Sequence, residues 1–131
     1  KGAKIFGLYA DGKGWLLTLK DLSIMEKILP EMSSAYRGLD VTVLHTLILE
    51  GILGIDKTNM ANQINLTYER DAKAAMETVD CKKGDCAFLI NATSVGEIAD
   101  VADADEKMPQ KSTYFYPKLI TGHVMYKMFD I

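Results

Sequence analysis

Apolar and polar residues alternate over much of the first twenty positions. Two short β-prone runs, residues 5–9 and 15–19, flank a turn that contains Asp11 and Gly12. An Asp-Gly pair between two such runs is a strong hairpin signal, because these residues tolerate the positive φ angles of a tight turn. The pattern therefore predicts an N-terminal β-hairpin.

Helical patterns follow the hairpin. A first helix is expected to begin at Asp21 or Ser23, either of which is a suitable cap, and to weaken at Pro30 because proline disrupts a helix interior. Asp40 is the clearest N-cap in the chain and is expected to start a second helix, because the apolar residues that follow it fall on one broad helical face. Gly54 is placed to stop it.

The second half of the chain alternates between strand-like and helix-like stretches. The pattern predicts a strand with one exposed face at residues 64–69 and a helix at 70–79. It then predicts a continuous apolar strand, of the kind covered on both faces, at 87–90. A further helix at 95–102, capped by Thr93 or Ser94, and a last strand at 123–128 follow. This alternation is typical of crossover connections. The predicted fold is α/β or α+β: an N-terminal hairpin, then helices alternating with strands around a mixed sheet.

Composition narrows the class of protein. The chain has 131 residues, 48% hydrophobic and 25% charged, which is ordinary for one globular domain spanning residues 1–131. No stretch has the roughly 20 apolar residues of a membrane helix, and no signal peptide is evident, so a soluble cytoplasmic protein is expected. The net charge of −3 disfavours nucleic-acid binding. A start without methionine indicates a piece of a longer protein.

Two cysteines, Cys81 and Cys86, have four residues between them in the chain. A structural zinc site needs four ligands, and the two histidines are distant in sequence, so no metal site is predicted. A reduced pair is the expectation in the cytoplasm, where disulfides are rare. A redox-active pair is the alternative.

The segment 108–122 has the most unusual chemistry. It holds two lysines, three Ser/Thr hydroxyls, three aromatic residues and two prolines, and irregular segments of this kind often carry binding functions. The sequence Lys111-Ser112-Thr113 is similar to the lysine and hydroxyl of a phosphate-binding loop, but the glycines of a Walker A motif are missing. Either Lys111, Lys118 and the hydroxyls hold an anion, or the aromatic residues fill the core or dock a partner while the lysines are solvated.

Other polar groups allow two interpretations each. His45 falls at the border of the apolar face, as a hydrogen-bonded structural residue or as a ligand or acid–base group. Asp71 is a helix cap or a group at a ligand-facing sheet edge. A cluster of four acidic residues precedes the 108–122 segment, and it consists of Asp100, Asp103, Asp105 and Glu106. These carboxylates either form a solvated helix end or hold a magnesium ion beside a phosphate.

Three stretches together resemble a known family. Residues 108–122, with 39–45 and 66–71, are similar to the C-terminal part of the prokaryotic domain-of-unknown-function family 1015, and the resemblance covers most of the chain. The N-terminal part of that family resembles ParB-like nucleotide-binding proteins and free-serine kinases. The resemblance therefore implies that this chain is one wall of a nucleotide- or phosphate-binding site in a kinase-like enzyme. It also implies an N-terminal part of the same polypeptide as the partner, and a nucleotide with Mg²⁺ as the ligand of the whole protein.

The resemblance also implies that certain residues are functionally important, either for chemistry or for docking onto the N-terminal part. Asp40 is one of them. The others are the ligand-binding candidates Lys111, Ser112, Thr113, Tyr114, Tyr116, Lys118, His45, Thr67 and Arg70. The alternative function is a non-catalytic protein interaction or homodimerisation module, in which the aromatic segment anchors the partner, since Tyr and Phe are enriched at interface cores.

Overall fold

The protein combines an N-terminal hairpin with a series of short helices, as a computed structural model that describes residues 3–114 shows. The elements are, in chain order, β1 (Ile5–Ala10), β2 (Lys13–Thr18), α1 (Ile24–Ile28), α2 (Ser34–Arg37), α3 (Asp40–Val43), a π-helix (Leu44–Glu50), α4 (Lys57–Asn62), α5 (Ala72–Asp80), β3 (Cys86–Leu89) and α6 (Val95–Asp103). This arrangement is α+β, and the predicted hairpin is confirmed. The last predicted strand, at residues 123–128, lies outside the described residues.

The sheet has three described strands in the order β2-β1-β3. Leu8 in the central strand lies opposite Trp15 on one side and Phe88 on the other, in antiparallel register. Asp11 and Gly12 form the hairpin turn with φ angles of 48° and 69°. Two consecutive positive φ angles characterise the turn whose twist matches that of the flanking strands, which is why this dipeptide is found there.

The expectation of a mixed sheet built by crossovers is wrong for the described strands. Both pairings of β1 are antiparallel, and β3, which lies at an edge of the described sheet, is half-buried instead of covered on both faces. Residues 64–69 form no strand: Leu66 and Tyr68 are partly buried as their alternation predicts, but Ile64 is 68% exposed. Alternation alone does not make a strand, which also needs a neighbouring edge to accept its backbone hydrogen bonds.

Three of the local signals for helix ends are confirmed, whereas the side chain of Ser23, the residue before α1, makes no cap hydrogen bond. Helix α1 ends two residues before Pro30. The Asp71 carboxylate caps α5 by accepting a hydrogen bond from the Ala74 N–H (2.9 Å). Ser94 starts α6 with a capping box in which its hydroxyl and the Glu97 carboxylate each bond to the other residue's backbone N–H.

Asp40 is not the helix cap that its position predicts. Leu39 occupies the cap position, and Asp40 is the first residue of α3. Its carboxylate accepts hydrogen bonds from Lys4 Nζ (2.6 Å) and Asn91 Nδ2 (3.3 Å), so a tertiary ion pair takes the oxygen that would otherwise cap the helix. The helical segment also ends earlier than expected, because Gly51 and not Gly54 follows the last helical residue.

Two apolar clusters hold the helices together. The buried residues of the first cluster are Phe6, Met25, Val43, Leu44, Leu49 and Met60, which join the sheet to α1, α4 and the π-helix. The second consists of Leu39, Val41 and Val101, with Met108 packed against it, and fixes α6 against α2 and α3. The two clusters thus leave the polar side of the α3–π-helix segment facing a space between the shorter helices.

Within residues 3–114, no helix combines the length and hydropathy that crossing a bilayer requires.

The two cysteines are exposed free thiols. Cys81 follows α5 and Cys86 begins β3. Partial burial and the neighbouring Asp85 carboxylate raise the pKa of the Cys86 thiol, which lowers its thiolate fraction at neutral pH.

Candidate functional site: a cleft beside the π-helix

A π-helical segment follows α3 without interruption. Its wider turns are visible in the hydrogen bonds from the Gly51 N–H to the Thr46 carbonyl (3.1 Å) and from the Leu53 N–H to the Ile48 carbonyl (2.9 Å), both spanning five residues. Turns of this kind are rare and occur frequently at functional sites. A candidate site is therefore expected on the face of this segment that the core leaves uncovered.

That face borders a partly open cleft of about 260 Å³. Apolar, aromatic and polar side chains from six parts of the described chain line it, and they are Leu29, Met32, Tyr36, Thr42, His45, Thr46, Glu50, Lys57, Met60, Tyr68, Pro109 and Gln110. Four of them come from the α3–π-helix segment, at successive spacings of three, one and four residues that place them on one side. A concave, largely apolar cleft with a few convergent polar groups is the usual form of a small-molecule site.

The Thr42 hydroxyl is the most informative group in the cleft. Thr42 is only 3% exposed, and its Oγ1 has no hydrogen-bond partner among the described residues. A buried polar group without a partner costs about 1–3 kcal/mol, and native proteins keep few of them. Thr42 lines the cleft, but its hydroxyl oxygen is shielded from solvent, so a molecule in the cleft can bond it only after the side chain turns the oxygen towards the wall surface.

His45 lies one turn further along on the same cleft. Burial lowers its pKa below the ordinary value of 6.5, because the imidazolium ion is poorly solvated there. Its ring centroid is 6.5 Å from that of Tyr68, at an interplanar angle of 58°. The neutral imidazole carries one donor and one acceptor nitrogen, so His45 can bond either kind of partner.

Stability should depend on the protonation of His45. Because its pKa is lower in the folded state than the value of 6.5 in the unfolded chain, the unfolded state binds more protons between the two values. The contribution of His45 to the free energy of unfolding should be complete above pH 6.5 and should decrease as the pH falls through the folded-state pKa. Urea titrations between about pH 5 and pH 8 should therefore show a weaker dependence on pH in His45→Gln than in the wild type. Parallel curves would contradict this.

In the described part of their segment, the predicted phosphate-binding residues do not converge on a common anion-binding site. The Ser112 hydroxyl donates to the Pro109 carbonyl (2.6 Å), closing a local turn in which Lys111 has a φ angle of 60°. Thr93 Oγ1 donates to the Ser112 carbonyl (3.4 Å). Lys111 and Thr113 are exposed, and neither lines the cleft. Tyr116 and Lys118 lie outside the described residues.

Two of the predicted stretches do meet. The Arg70 guanidinium lies over the Tyr114 ring, 4.0 Å from its centroid, in a cation–π contact. Tyr68, two residues before Arg70, lines the cleft together with His45 and Pro109. Thr67 is exposed and lies outside the cleft wall. The structure thus brings His45, the end of the 64–69 stretch and the start of the 108–122 segment to one place.

Several residues of the cleft were not predicted from the sequence. Thr42, Thr46 and Glu50 form a polar stripe opposite the apolar face of one helix, and such a stripe on a segment with buried neighbours is a usable signal. Tyr68 and Gln110 lie inside the flagged stretches 66–71 and 108–122 without being candidates themselves, and Lys57 has no sequence signal, because only the packing of α4 brings it to the cleft.

Among the acidic residues 100–106, Glu106 has a structural role, whereas Asp100, Asp103 and Asp105 are exposed. The Glu106 carboxylate accepts hydrogen bonds from the Ser33 N–H (2.7 Å) and the Ser33 hydroxyl. It thereby fastens the chain just before Pro109 to the start of α2. Among residues 3–114, no three His, Cys, Asp or Glu side chains are grouped closely enough to hold a metal ion.

The fold and the cleft define an α+β protein with a candidate small-molecule site. Comparisons with protein-family models, with curated proteins and with solved structures found no match to this chain. The resemblance to family 1015 and the functions that it implies therefore stay predictions, and the geometry of the cleft is the basis for a functional proposal.

Proposed function

We propose that this chain binds a small organic ligand in the cleft beside the π-helix, and that the cleft forms one wall of a nucleotide site in a kinase-like enzyme. The observation that carries the proposal is the Thr42 hydroxyl, which is buried on the cleft wall without a hydrogen-bond partner among the described residues. A ligand atom that bonds this oxygen would recover the free energy that its burial costs.

The surroundings of Thr42 support binding rather than simple packing. His45 and Tyr68 add polar atoms on aromatic rings, and the π-helix that presents His45 is a backbone form common at functional sites. Lys57 lines the cleft, and Lys111 directly follows Gln110, which also lines it. Because Glu50 also lines the cleft, the charge stabilisation that phosphoryl transfer requires would come from outside it, where the exposed Lys111 is the nearest lysine in sequence.

Replacement of Thr42 by valine should separate binding from folding. Valine has nearly the same shape but no hydroxyl, so the folded state keeps its packing and loses an unpaired polar atom. Calorimetric titration of the 131-residue chain with ATP, ADP and CTP in the presence of Mg²⁺ is expected to show binding. The Thr42→Val variant is expected to bind about tenfold more weakly, the worth of one hydrogen bond.

The control for this experiment is Thr18→Val, at an exposed position of β2 that does not line the cleft. It should bind as the wild type does, and thermal unfolding should show that Thr42→Val is at least as stable as the wild type. Absence of binding by the wild type to all three nucleotides, or equal affinities of Thr42→Val and wild type, would refute the proposal.

An interaction module is the second candidate, and one observation favours it. Leu16 is 80% exposed on β2, and β2 lies at an edge of the described sheet. Exposed apolar side chains on an edge strand are suited to pairing with another chain. Sedimentation velocity over a range of protein concentrations tests for a homodimer; a monomer at every concentration would remove that version of the candidate.

A further inference from the structure

We infer that the cleft takes a neutral, planar heteroaromatic ring, the chemical class of the nucleobases, and that it does not take a phosphate group. This inference rests on the proposed function, because it specifies which part of the ligand occupies the π-helix cleft. It depends on the ring and thioether side chains of the walls, on the polar atoms between them, and on the balance of charge.

The walls are suited to the faces and edges of a flat ring. Tyr36, Tyr68 and His45 contribute three ring systems to the lining, and aromatic pairs gain from offset or edge-to-face contact. Met32 and Met60 contribute thioethers, which make favourable contacts at ring edges and adapt their shape to the occupant. Tyr68 is tilted by 58° against His45, so these two rings are not already stacked on each other.

The polar atoms of the cleft match the edge of a heteroaromatic ring. The Thr42 hydroxyl can donate one hydrogen bond and accept others, and it has no partner in the described chain. The neutral His45 imidazole offers one donor and one acceptor, and the Gln110 amide offers both kinds of atom. Ring nitrogens and exocyclic amino or carbonyl groups would satisfy such a set, whereas a hydrocarbon ring would leave Thr42 unpaired.

The charges argue against a phosphate in the same place. Glu50 and Lys57 are the charged side chains in the described lining, one of each sign, so their charges cancel. The pKa of His45 is lowered by burial, which leaves the ring without charge at neutral pH. Phosphate sites in proteins are built from converging cations and hydrogen-bond donors, and the Ser112 hydroxyl is engaged with the Pro109 carbonyl instead.

The test is a calorimetric titration of the 131-residue chain with adenosine, cytidine, their 5′-triphosphates, inorganic phosphate and pyrophosphate. We expect at least one nucleoside to bind with a dissociation constant within about tenfold of that of its triphosphate, and we expect no heat from phosphate or pyrophosphate. Thr42→Val should weaken binding of that nucleoside about tenfold, and Thr42→Ser, which keeps the hydroxyl, should restore it. Thr18→Val is the neutral control.

The possible failures are distinguishable. If triphosphates bind and nucleosides do not, or if phosphate alone binds with an affinity similar to that of the triphosphates, the inference is overturned and the proposed function stands. If no compound binds, the proposed function is overturned with it. If a nucleoside binds equally well to the wild type and to Thr42→Val, the ring does not use the cleft, and the inference is wrong.

Discussion

Replacement of Leu39 by alanine is expected to lower the free energy of unfolding by about 3 kcal/mol, in the middle of the range for large-to-small changes in a core. Leu39 is 1% exposed and packs with Val41 and Val101 in the second apolar cluster. The substitution removes apolar contact area and leaves a cavity between α3 and α6. Urea unfolding followed by circular dichroism measures the loss.

Leu16 provides a matched control for this prediction. It is 80% exposed on β2, so Leu16→Ala should change the free energy of unfolding by less than roughly 0.5 kcal/mol. Equal effects of the two leucine substitutions would show that the second cluster does not support the fold. A change of the denaturant slope in Leu39→Ala, with an unchanged midpoint, would instead indicate an altered unfolded state.

The second prediction concerns the ion pair that replaced the expected cap. Lys4 Nζ lies 2.6 Å from Asp40 Oδ1, and the two side chains are only 16% and 17% exposed. In Lys4→Met the apolar stem is retained, but the Asp40 carboxylate loses its counter-ion in a poorly solvated place. We expect the free energy of unfolding to fall by about 2–3 kcal/mol, somewhat less than for a fully buried pair.

Lys73→Met is the control, because Lys73 pairs with Glu77 at 3.8 Å on the exposed surface of α5. Exposed pairs of this spacing contribute about 0.3–0.5 kcal/mol, so this variant should be nearly neutral. Adding Asp40→Asn to Lys4→Met should recover part of the loss, since it removes the unpaired charge. A Lys4→Met variant as stable as Lys73→Met would contradict the tertiary role of the pair.

Features of the fold that depend on residues close together in the chain were predictable from the sequence, and features that depend on distant residues were not. The Asp11-Gly12 turn and the Asp71 and Ser94 caps depend on groups within a few residues, and each was found where the sequence predicts it. The strand predicted at residues 64–69 and the cap predicted at Asp40 both failed, because each depends on which distant group is present. No strand among residues 3–114 pairs with the first, and Lys4 binds the second.

The candidate site was predictable only in part. His45 stands out because histidine is rare in this chain and lies at the edge of an apolar face, and the structure places it in the cleft. The phosphate-binding interpretation of Lys111 and Ser112 has no counterpart in the cleft lining. Thr42 was not among the candidates, because a threonine on a helix is ordinary until its burial and its lack of a partner are known.

The sequence by itself determined the N-terminal hairpin, the positions of helices α1, α5 and α6, and the capped starts of the last two, since these depend on backbone preferences and on hydrogen bonds between near neighbours. Only the tertiary structure decided the antiparallel place of β3, the ion pair of Asp40, and the meeting of Thr42, His45, Tyr68 and Pro109 around one cleft. These features depend on contacts between residues far apart in the chain. Such contacts form only when the two apolar clusters pack, and no local pattern encodes which distant surfaces they bring together.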